Sequence, residues 1–228
     1  MFRLECRRDG GPCQPAWSSE GTGSAAAPAI GGDVIYVHAH GELQAFPRTC
    51  PGSRCRLLWA ETVPESNGLS VIVAGDVLLV DGIGYRRNGT RLLRVWQSSV
   101  IEGSRPISPV LVHGGTVYIG SDRVSASRLR CGGLATACPP TWSSPERFEA
   151  DIGQTLTWSE PVAAGGLIFS SAGVPAAFIE GCGVRGEVCE PVWTGRAAFG
   201  TSRPAVSSSA LVVTTSGGGI VAYAPSAA

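Results

Sequence analysis

No lysine occurs anywhere in the 228-residue sequence, so all 18 basic residues are arginine. Nothing in protein physics requires that choice, and it reads as the coding bias of a GC-rich bacterial genome. Its chemical consequence is that no Gly-x-x-x-x-Gly-Lys phosphate loop is possible. The Gly-x-Ser-x-Gly elbow of serine hydrolases and the His-Glu-x-x-His motif of zinc proteases are also missing. Neither sign of charge is in excess: 18 acidic residues balance the 18 basic ones, which excludes the basic surplus that nucleic acid or an anionic membrane surface attracts. Long hydrophobic runs are lacking too. The longest, Val71 to Val80, is broken by Gly75-Asp76 and falls short of the roughly eighteen apolar residues of a membrane helix. The start, Met1-Phe2-Arg3-Leu4-Glu5-Cys6, has no apolar core behind its basic residue, so it lacks the form of an export signal.

What is present points to strands. Glycine (31) and proline (16) make up about a fifth of the chain, a composition that suits many short strands joined by tight turns. Tryptophan marks a repeat. Trp17, Trp59, Trp96, Trp142 and Trp193 follow one another at intervals of 42, 37, 46 and 51 residues. Four of them close a shared phrase, with Cys13, Cys55, Cys138 and Cys189 each four residues ahead of its Trp; at Trp96 the matching position is Leu92. Downstream of each Trp, two apolar runs flank a small turn, usually glycine-rich, as in Pro28–Val37, Ser70–Val80, Pro109–Ile119, Pro161–Phe169 and Pro204–Val213. Such pairs read as β-hairpins. A third apolar segment follows (Leu43–Phe46, Ser127–Arg130, Ala177–Ile179), and the Cys…Trp segment supplies a fourth strand. Four strands per forty to fifty residues is the signature of a propeller blade.

The expected fold is therefore an all-β propeller of four-stranded antiparallel blades, about five blades' worth in one domain spanning 1–228. Blades are expected at about 24–59, 66–96, 105–142 and 155–193, with partial blades at 1–17 and 200–228. Third strands at both ends (Phe2–Glu5 and Gly219–Tyr223) favour a piece of a seven- or eight-bladed ring with a truncated start.

The eight cysteines fall into in-register pairs: Cys6/Cys13, Cys50/Cys55, Cys131/Cys138 and Cys182/Cys189. Each pair is placed to bridge its own strand-to-strand turn, and such bridges persist in oxidising compartments. Gaps of four or six residues, spread over separate blades, do not suit zinc. Cys and Trp four apart on one extended segment would point to the same side of the blade. The five repeat tryptophans are expected to anchor one blade to the next. Trp158, outside the register, is the candidate for a ligand-facing aromatic. His38 and His40 share a strand face, but with only His113 elsewhere they do not make a metal site and are expected to face solvent. Arg86, Arg87, Arg91 and Arg94 form a basic cluster in the cysteine-free unit, read as a solvated edge that discourages strand-to-strand aggregation.

The hairpin, the Leu-x-Ala-Phe third strand at Leu43–Phe46 and the Trp-ended fourth strand together resemble the PQQ-like, or quinoprotein-like, propeller repeat. That repeat occurs in quinoprotein alcohol dehydrogenases and in propeller lipoproteins of outer-membrane assembly. The family turns into its last strand through an Asp…Thr-Gly segment, whereas here a cysteine pair occupies that turn in four of the five Trp units. For the dehydrogenases the resemblance implies PQQ near the propeller axis, a Ca²⁺ ion held by carboxylate and amide oxygens, a catalytic Asp and a vicinal Cys-Cys disulfide. No Cys-Cys dipeptide is present, and the axial-side carboxylates on offer are the hairpin-turn residues Asp33, Asp76 and Asp81. The expectation is accordingly a non-catalytic, extracytoplasmic binding or scaffolding module for a protein or cell-envelope partner. It has no catalytic, cofactor or metal residues. A PQQ-dependent dehydrogenase is the alternative.

Overall fold

In the computed structural model, the described residues are 15–19, 27–39, 41–63, 71–89, 91–98, 110–131, 137–145, 158–183, 186–196, 203–215 and 217–224. They hold twenty-one strands in five sheets and no helix. We name the sheets A to E in chain order. Blade A comprises β1 (Ala29–Gly31), β2 (Val34–Ala39), β3 (Glu42–Pro47) and β4 (Trp59–Thr62). Blade B comprises β5 (Val71–Ala74), β6 (Val77–Val80), β7 (Ile83–Asn88) and β8 (Arg91–Ser98). Blade C has β9 (Val110–His113), β10 (Thr116–Gly120), β11 (Val124–Arg128) and β13 (Pro140–Ser143). Blade D has β14 (Val162–Ala164), β15 (Leu167–Ala172), β16 (Val174–Ile179) and β18 (Trp193–Thr194). Blade E shows β19 (Ala205–Val206), β20 (Leu211–Thr214) and β21 (Ile220–Tyr223).

Within each sheet, consecutive strands pair antiparallel in a meander. Local chemistry sets the turns. Asp81-Gly82 joins β6 to β7 with both residues in the left-handed region (φ 49° and 76°), the conformation a two-residue hairpin needs and the one Asp-Gly tolerates best. The inner strands follow one another around an axis: β1 lies against β5, β5 against β9, β9 against β14, and β14 against β19. Radially arranged four-stranded meanders of this kind make the chain a β-propeller.

The core lies between the blades. On β6 all four residues are buried, because both faces of the sheet are covered. With a side-chain period of two, Val77 and Leu79 join Trp96, Val117 and Ile119 between blades B and C, while Leu78 and Val80 join Leu43, Val63 and Tyr85 between A and B. The third cluster, between C and D, contains Tyr118, Trp142, Trp158 and Phe178.

Two short strands complete the picture. β12 (Ala137–Cys138) and β17 (Glu187–Val188) belong by sequence to blades C and D, but pair in parallel with β8 and β13, the outer strands of the preceding blades. The expectation that Cys and Trp share one extended strand is therefore corrected. Cys138 sits on blade B's edge, and the chain then turns through Pro139 before entering β13. Pro139 has no N–H to continue the ladder there, and the same split occurs at Cys55 and Trp59 with no proline between them.

Gly120, at the end of β10, meets the crossing segment from Trp158: a Cβ there would collide with the Ser159 carbonyl oxygen and lie 2.8 Å from that of Trp158. Gly120→Ala is expected to destabilise by about 1–3 kcal/mol, the usual range for overpacking. Gly52→Ala, facing open space, should stay within about 0.5 kcal/mol of the parent. Urea midpoints of the two variants check this, and equal midpoints would contradict it.

Candidate functional site

The most constructed region of the molecule is the set of boundaries between blades, where each neighbour reaches into the other. In the forward direction, each repeat tryptophan docks on the third strand of the next blade or on its end. Trp17 lies 6.5 Å from Phe46, Trp142 5.8 Å from Phe178 and Trp193 5.2 Å from Tyr223, centroid to centroid. The Trp96 and Trp142 indoles donate to the carbonyls of Arg128 (2.9 Å) and Glu180 (3.2 Å). At the A–B boundary Arg87 takes the place of the aromatic, its Cζ 4.9 Å from the Trp59 centroid. A guanidinium over an indole is attractive through the ring quadrupole.

In the return direction, the disulfide-closed loop of a blade runs back to the outer strand of the one before it. Cys50–Cys55, Cys131–Cys138 and Cys182–Cys189 are bonded; Cys6 and Cys13 lie outside the described residues. The Cys55 amide donates to the Ser18 carbonyl at 2.8 Å, and Ser18 N–H to the Ser53 carbonyl at 2.9 Å. The Cys189 amide donates likewise to Ser143, at 2.8 Å, and Gly186 N–H to Thr141 at 2.7 Å. The second cysteine of each of these pairs is buried between blades. Each disulfide thus closes a loop that already acts as a fifth strand on its neighbour. Leu57, Leu58, Val188 and Val192, on or beside these loops, are each 44–59% exposed.

Ionic contacts follow the same boundaries. Asp76 pairs with Arg86 of its own blade (2.7 Å) and Arg130 of the next (2.9 Å). Partial desolvation works to raise the Asp76 carboxyl, but the two guanidiniums outweigh it and hold it below its ordinary value. His113 faces Glu180 across the C–D boundary at 3.6 Å. Burial raises the Glu160 carboxyl and Arg203, at 2.9 Å, opposes the shift.

The axial carboxylates do not come together. Asp33 and Asp76 stand in the first hairpin turns of their blades, and Asp81 in the second turn of blade B, at the opposite end of β6. A four-residue strand separates Asp76 from Asp81 by roughly 13 Å or more. With Asp76 also held by two arginines, this trio does not fit a Ca²⁺–PQQ centre. Among the described residues no three His, Cys, Asp or Glu side chains gather as a metal site. Trp158 is not ligand-facing: it is 2% exposed and meets Phe178 edge-on at 5.6 Å, because the crossing segment that carries it is pinned by Trp158 N–H to Ser121 and Ser159 N–H to Ser171. Nor is His38 solvent-facing; it is fully buried on β2, while His40 lies outside the described residues. Of the basic cluster, Arg86 is ion-paired and Arg87 is stacked, so only part of it is a solvated edge. An apolar cavity of about 750 Å³ opens between blades D and E, lined by Leu167, Phe169, Trp193, Val206, Leu211 and Tyr223. Among the described residues its lining carries no carboxylate, imidazole, guanidinium or thiol, and its polar groups come from Ser207, Ser208 and Tyr223.

Comparison with known proteins bears on the fold. The chain resembles BamB from Moraxella catarrhalis, a β-propeller, at a TM-score of 0.59 and 18% identity, over 85% of this chain. It spans 55% of the length of that protein. A computationally designed protein, Ika8, superposes at a TM-score of 0.54 with 11% identity, over 92% of this chain and 74% of its own. No family model and no curated protein matches the sequence. At these identities the likeness is one of fold.

Two outcomes are expected. Replacing Cys182 and Cys189 together by Ala should cost on the order of 2–3 kcal/mol, the loop-closure value for about eight residues, read from denaturant unfolding. Tyr118, tilted against Trp142 at 6.1 Å, has its hydroxyl pushed up to about 12 by burial and the Glu180 charge. Between pH 10 and that value the unfolded chain ionises this group and the folded chain does not, so stability falls as pH rises through the window. Tyr118→Phe should flatten that slope in denaturant titrations taken across it, and an unchanged slope would contradict the assignment.

Proposed function

We propose that the chain is a non-catalytic, extracytoplasmic propeller of the PQQ-like repeat type, which binds or scaffolds a protein partner of the cell envelope. The observation that carries this reading is the exposure of Leu57, Leu58, Val188 and Val192 on or next to loops held by a disulfide and by hydrogen bonds to the preceding blade. Apolar side chains held in water on a rigid frame are the raw material of a protein interface. Three bonded cysteine pairs favour an oxidising compartment. The fold shared with BamB, itself a propeller, is compatible with an envelope role. The reading assigns no cofactor and no catalytic residue.

Titration with PQQ, with and without Ca²⁺, followed by tryptophan quenching and dye-linked alcohol oxidation, separates this proposal from a quinoprotein dehydrogenase. The expected result is no saturable quenching and no dye reduction. Ca²⁺-dependent, saturable quenching with dye reduction would sink the scaffold reading.

A further inference from the structure

Blade B lacks the cysteine loop, and β7 joins β8 by a short connection with Asn88 paired to Arg91. The boundary is closed differently. Leu92 stands where the other units carry their second cysteine, and its amide donates at 2.8 Å to the Glu61 carboxylate of β4, rather than to a main-chain carbonyl. In the equivalent contacts, the acceptors are the carbonyls of Ser18 and Ser143, each the residue after a repeat tryptophan. The matching residue here is Ala60. It is exposed, and among the described residues β4 pairs only with β3. β4 is thus an outer strand without the fifth strand that the Trp17 segment, β8 and β13 each receive from the following blade.

We propose that the outer edge of β4 takes an extended, acidic segment of a protein partner as its missing parallel strand. The proposal rests on the binding-module reading above and narrows it to one surface. The geometry has its template within the molecule, where β12 and β17 make the same addition. The chemistry of the occupant follows from the flanks. Arg56, leading into β4, and Arg87 and Arg91 of blade B are exposed, whereas Glu61 is half-buried and already engaged by Leu92. Leu57 and Leu58, 44% and 52% exposed, offer apolar contact beside the same edge. Strand addition supplies main-chain hydrogen bonds, and the arginines select carboxylate-bearing sequences. An unpaired edge flanked by leucines would otherwise be an aggregation liability, which the arginines also oppose.

The test uses the full chain and a displayed library of short random peptides as the probe. Selected peptides should be enriched in Asp and Glu and should lose roughly tenfold or more in affinity for Ala60→Pro, which removes an edge N–H. A similar loss is expected for Arg56→Glu, an exposed change that guards against misfolding in the proline variant. Selection of peptides that bind both variants as well as the parent would overturn the edge assignment while leaving the binding-module reading intact. Failure to select any peptide would overturn the edge assignment as well. The module reading itself stands or falls on the PQQ titration.

Discussion

The reciprocal contact between neighbouring blades is the constraint on which the rest depends. A single four-stranded meander of strands this short has too little core to stand alone, and here both faces of a sheet such as blade B are covered only because another sheet lies on each side. The indole going forward supplies the large buried area. The loop coming back supplies main-chain hydrogen bonds and, through its disulfide, a closed loop with fewer unfolded conformations to lose. Together they fix both the distance and the register between blades, which neither interaction alone would do.

Much of this was legible in the sequence because the repeat is written in rare residues. Trp at a regular spacing with Cys four positions earlier marked the outer strand of each blade, and the hairpins were visible as apolar runs on either side of a glycine-rich or small turn. What the sequence hid was the direction of the cysteine segment. Spacing along the chain says that Cys189 and Trp193 are near one another, but not that the first pairs with one blade and the second with the next. Likewise Trp158 lay outside the register, which drew it toward a ligand role. Its burial depends on Gly120 leaving room for its segment to cross, a contact over a separation no local pattern encodes. His38 reads as polar on an alternating strand, and only the covering of both sheet faces explains its burial.

The candidate site shows the same division. The carboxylates Asp33, Asp76 and Asp81 are recognisable as turn residues from sequence, yet which end of a blade a turn occupies follows from strand order. Once strand order is known, the three no longer form a set. The surface we propose instead is the rim of interblade loops, where the A–B boundary departs from the pattern of the three clasped ones. At A–B a carboxylate and an arginine stand in for a disulfide loop, leaving an edge that the three clasped boundaries close.

Amide hydrogen exchange on the oxidised and the reduced protein tests the reciprocal contact most directly. On reduction, protection should fall first at Ser18, Gln97–Ser98 and Trp142–Ser143, where returning loops pair with outer strands, while β4 and Leu92, at the boundary without a disulfide, keep theirs. Equal loss at A–B and at the three clasped boundaries, or no change at the clasped ones, would contradict the account.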